Sequence, residues 1–74
     1  MSYIETVTSN LKAEMARGSI SQAEMAKALG ITPVSMGARM RMKPELRISE
    51  LEKAADYLGL DVLVLFQKQE GKKK

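Results

Sequence analysis

SQAEMAKALGITPVSMGARM, residues 21–40, carries two helix starts with a helix stop between them. Ser21 with Glu24 three positions on forms a capping box, in which hydroxyl and carboxylate each satisfy an exposed backbone donor. Ala23, Met25, Ala26 and Leu29 then supply a buried side, and Gly30 closes the segment as a residue that tolerates positive φ. Thr32 followed by Pro33 starts again: a hydroxyl at the cap, then a residue whose missing amide donor does no harm at the first helical position. Met36 and Met40, four apart, anchor this second helix, and Pro44 limits it to about residue 42 or 43. The stretch therefore predicts helices over about 21–29 and 33–42, joined by a tight turn.

Outward from this pair, Ile4, Val7, Leu11 and Met15 fall at three- and four-residue spacings, which predicts an amphipathic helix over residues 2–17 ended by Gly18. KPELR reads as a connecting loop. Ser49 with Glu52 repeats the capping box, and Leu51, Ala54, Ala55 and Leu58 give a further helix that stops at Gly59. The segment DVLVLF, residues 61–66, is open to two readings. As a helix it would bury Leu65 and Phe66, and as a strand, β-branched at Val62 and Val64, it would pair with another chain. The pattern favours helix. Residues 1–67 are expected to form one all-α domain, and the basic tail, residues 68–74, to be disordered.

Seventy-four residues hold one small core. The absence of cysteine and histidine removes disulfides, thiol nucleophiles, the usual zinc sites and imidazole acid-base chemistry. No Gly-rich phosphate loop occurs, and the acids lie beside Lys and Arg along helical segments, so neither an enzyme, a cofactor, a metal nor a small-molecule substrate is expected. No apolar run is long enough for a bilayer and MSYIETVTSN lacks the features of a signal peptide, which predicts a cytoplasmic chain without a membrane partner. The net charge is +3, yet residues 1–66 hold eight Lys/Arg against eight Asp/Glu. Within that neutral body, Arg39, Arg41, Lys43 and Arg47 against Glu45 are the one local basic excess.

Two short helices joined by a Gly-containing turn and braced by flanking helices are the helix-turn-helix arrangement. SQAEMAKALGIT resembles the phage repressor and Cro family in detail: Gln22 opens the first helix of the pair, Ala26 is small at the crossing, Gly30 lies in the turn, Ile31 packs behind it and Met36 takes the buried site of the second helix. The resemblance covers about residues 9–66. It implies a compact, lambda-repressor-like bundle of about five helices, binding operator DNA as a two-fold dimer and regulating transcription. It also implies that Gln22 reaches a phosphate and that Thr32, Pro33, Val34, Ser35, Gly37 and Ala38 face base edges. The positions matching a buried Arg-Glu pair common in that fold are Met15 and Met40, where two apolar groups substitute acceptably for an ion pair.

The readout positions lack Gln, Asn, Arg and Lys, the side chains suited to paired contacts with a base edge. Arg39, Arg41 and Lys43 are expected as phosphate contacts, with discrimination drawn from DNA shape or from Arg39 and Arg41. The other function class consistent with this face is an antirepressor or modulator that docks on a repressor protein through Val34, Gly37, Ala38 and an exposed Met42. Met15, Met25, Met36 and Met40 have the spacing of core residues. A homodimer through residues 61–66 is the expected assembly.

Overall fold

The computed structural model describes residues 2–67, so the expected basic tail at 68–74 lies outside the described residues. Helix α1 (Tyr3–Arg17) begins at Ser2, whose Oγ accepts the Glu5 N–H at 3.4 Å. Helix α2 (Gln22–Leu29) has the predicted capping box: Ser21 Oγ accepts the Glu24 N–H at 3.1 Å, and the Glu24 carboxylate accepts the Ser21 N–H at 2.8 Å. Helix α3 (Pro33–Met40) begins at Thr32, whose Oγ1 accepts the Ser35 N–H at 3.1 Å. Helix α4 (Ile48–Leu58) follows a loop, and a 3-10 helix (Val62–Phe66) begins at Asp61, whose carboxylate accepts the Leu63 N–H at 2.9 Å.

Among the described residues the architecture is all-α, with four α-helices and one short 3-10 helix where about five helices were expected. DVLVLF is helical rather than extended, but too short and too rich in β-branched residues to settle into an α-helix, and it takes the tighter winding used in short pieces. No helix among the described residues is long and apolar enough to cross a membrane.

All four α-helices stop by one device. In each, the last residues donate backwards in a Schellman pattern, Ile20 to Met15, Ile31 to Ala26, Lys43 to Ala38 and Leu60 to Ala55. The left-handed residue this needs is Gly30 after α2 and Gly59 after α4, as expected. After α1 it is Ser19 (φ 57°) and not Gly18, over which Ile20 folds instead. After α3 it is Met42 (φ 62°), so the helix ends at Met40, earlier than Pro44 required. The strain of a left-handed methionine is offset by its side chain, which packs against the core.

The core gathers Ile4, Val7, Leu11 and Met15 from α1, Met25, Ala26 and Leu29 from α2, Met36 and Met40 from α3, and Leu51, Ala54 and Ala55 from α4. The four methionines of helical spacing are thus all buried, whereas Ala23 is exposed. Leu46 and Leu65 complete the core, the first from the segment read only as a connecting loop. Helix α2 packs on α3 and α4, and the 3-10 helix fills the space between α1 and α4. Asn10, buried on α1, holds it there: its Nδ2 donates to the carbonyls of Leu65 at 2.8 Å and Gln67 at 2.6 Å. Tyr3 stacks on Phe66 beside this clamp, with ring centroids 5.7 Å apart.

Replacing Asn10 by Ala removes the Nδ2 donor that the Leu65 and Gln67 carbonyls share. The expected cost is about 1–3 kcal/mol, read as a lower urea midpoint, with loss of the near-ultraviolet dichroism of the Tyr3–Phe66 stack.

Candidate nucleic-acid interface

The face that α3 turns outward follows from helical periodicity: positions 34, 37, 38 and 41 share one side, opposite buried Met36 and Met40. Val34 dominates this side, 82% exposed. Gly37 and Ala38 are half-buried beside it, and Thr32, Pro33 and Arg41 are exposed. The hydroxyls of Thr32 and Ser35 lie 3.1 Å apart, and Thr32 Oγ1 also caps the Ser35 amide, so both are engaged in starting the helix.

Gly37 is where α2 and the end of α3 meet. A Cβ built there would lie 3.6 Å from both Gln22 Oε1 and Arg41 Nη1. The amide of Gln22, at the first position of α2, and the guanidinium of Arg41 therefore converge over one patch of bare backbone. Nothing requires glycine at this point, because both distances are ordinary contact and the φ is not left-handed.

Arg39 departs from the expected set of phosphate contacts. Its guanidinium forks onto Glu50 of α4, Nε to Oε1 and Nη2 to Oε2, both at 3.0 Å, with the two side chains only 12% and 9% exposed. Glu50 Oε1 also accepts the Arg47 N–H at 2.9 Å. One carboxylate thus starts α4, ties it to α3 and neutralises a cation. The predicted Ser49–Glu52 box is not used, because α4 begins at Ile48 and Ser49 already lies inside the first turn. The Arg39 hydrogen bonds, with smaller contributions from the Arg47 amide and the nearby positive charge, hold the Glu50 carboxyl below the usual carboxylate range against the opposing effect of burial. Its partner Arg39 is correspondingly held in the charged form.

Of the expected basic cluster, Arg41, Lys43 and Arg47 remain exposed, accompanied by exposed Glu45. Met42, expected as an exposed apolar contact, is half-buried against the core, which leaves Val34, Gly37 and Ala38 as the apolar part of the face. The Arg39–Glu50 pair had no local signal in the sequence: the partners are eleven residues apart, on different helices, with a turn between them. Leu63, 64% exposed, is the outward apolar residue of the segment expected to dimerise.

Glu50→Ala removes a charge-assisted fork and a cap and leaves Arg39 partly buried without its anion, a cost of about 3 kcal/mol. The double variant Arg39→Met/Glu50→Leu recovers the ion-pair portion only, since the Arg47 amide stays uncapped at about 1 kcal/mol. In the wild type, the stabilisation from Glu50 is fully present above about pH 4.3, the ordinary Glu value, and is lost as pH falls through the depressed folded value. Urea melts at pH 7 and below pH 4 check both. Gly37→Ala, by contrast, is expected to stabilise the chain by about 0.5–1 kcal/mol, measured by the same melts. The chain matches no family model, no curated protein and no solved structure.

Proposed function

We propose that this chain is a small transcription regulator of the phage repressor and Cro type, binding operator DNA through α2 and α3 as a helix-turn-helix. The observation that supports this most is the outward face of α3. It is uncluttered along its length, has Gln22 and Arg41 converging over Gly37, and is followed by exposed Lys43 and Arg47. A helix with that face fits the major groove, and cations at its end and beside the start of α2 meet the phosphates that flank it. Gln22, Arg41, Lys43 and Arg47 are the positioning contacts in this reading. Arg39 acts through Glu50 by setting the angle of α3, without touching a phosphate. A second copy joined through exposed Leu63 and its neighbours gives the two-fold symmetry that a palindromic operator requires.

The second reading, an antirepressor or modulator that covers the Val34, Gly37 and Ala38 face with a repressor protein, is favoured by the 82% exposure of Val34 and by the loss of Arg39 as a free cation. A salt-titrated binding measurement with duplex DNA, with and without the repressor of the same locus, separates the two. For DNA binding, Arg41→Ala and Lys43→Ala each weaken binding to all sequences and lower the slope of log K against log salt by about 0.9. An unchanged slope, together with a tight repressor complex that Val34→Asp abolishes, selects the protein partner.

A further inference from the structure

We infer that α3 selects its site by thymine methyl groups, with Val34 as the specificity-determining residue. The inference rests on the DNA-binding reading above and adds to it the feature being read.

The argument begins with what the face lacks. Its outward side chains are Val34, Gly37, Ala38 and Arg41, and of these only Arg41 can donate a hydrogen bond. The Arg41 guanidinium lies beside Gly37 together with the Gln22 amide, at the middle of the helix and not at its first turn. Thr32 and Ser35 direct their hydroxyls to each other and to the helix cap. No side chain near the N-terminus of α3 is therefore placed for a paired contact with a base edge.

What the face offers instead is one rigid apolar group. Val34 is the most exposed large hydrophobic residue described, and its β-branched side chain holds a narrow range of χ1, so little freedom is lost on contact. In the major groove the one apolar feature of the base pairs is the C5 methyl of thymine. Gly37 and Ala38, one turn on, add almost no bulk, so the helix backbone can descend until Val34 meets that methyl. Charge complementarity favours DNA over an apolar protein surface here: Arg41, Lys43 and Arg47 stand exposed against the single acid Glu45.

The test takes the best duplex from selection on randomised DNA and replaces each thymine in turn by uracil, which removes the methyl and leaves every hydrogen-bonding group in place. One thymine per half-site is expected to lose about three- to fivefold in affinity on replacement. Val34→Ala is expected to bind the thymine duplex with a similar loss and to be indifferent to uracil, while Val34→Thr, which keeps one methyl, retains part of the discrimination. Val34 is exposed, so these variants keep the fold. Selective binding that no uracil substitution changes, or a uracil effect that persists in Val34→Ala, overturns the inference and leaves the DNA-binding reading intact. Absence of sequence-selective binding to any duplex overturns both, and a repressor complex sensitive to Val34→Asp then assigns the face to a protein.

Discussion

A single carboxylate, Glu50, sets the relation between the outward helix and the rest of the molecule. Its two oxygens hold the Arg39 fork and the Arg47 amide together, and so join the end of α3, the loop after it and the start of α4. Apolar packing alone would fix this junction loosely, because Met36 and Met40 are the two buried side chains of α3 and methionine repacks readily. The fork has a fixed planar geometry that a thioether lacks, and it is partly shielded from water, where charge-assisted bonds are stronger. Asn10 does the same for the C-terminal segment, converting an apolar contact between α1 and the 3-10 helix into one with defined register. Every buried side-chain nitrogen and oxygen among the described residues has such a partner.

The cost of the Glu50 arrangement is a cation. Arg39 is spent on the fold, and the outward face is left with small and apolar residues and a basic end. The same conclusion holds for the two hydroxyls at the start of α3, which complete a cap. A face so depleted of hydrogen-bonding groups is poorly suited to a donor-acceptor code and well suited to close approach. Gly37 belongs to that logic: it lowers helix stability, meets no steric need in the isolated chain, and keeps the backbone open between Gln22 and Arg41.

Legibility of the chain followed the range of the interactions. The capping box of α2, the Thr32–Pro33 start of α3 and the glycine stops at 30 and 59 all involve groups within a few residues of one another, and each is found where the sequence indicates. The apolar spacing of α1 and the core methionines was equally plain, since period alone decides which side of a helix is buried. Where two local signals competed, the stronger tertiary contact chose. Ser49 and Glu52 offered a cap as good as Ser21 and Glu24, but Glu50 could cap and bind Arg39 at once, so α4 begins two residues earlier and takes that carboxylate instead.

By itself, then, the sequence determined the all-helical class, the places where α1, α2 and α3 begin, and most of the core, because these depend on spacing and on backbone groups satisfied locally. Only the tertiary structure decided that Arg39 turns inward, that Asn10 and Leu46 are interior residues, that Ser19 and Met42 take left-handed conformations, and that DVLVLF winds as a 3-10 helix. Each of these depends on a partner brought close by folding, and on whether burial there repays desolvation or strain. No local pattern encodes that balance.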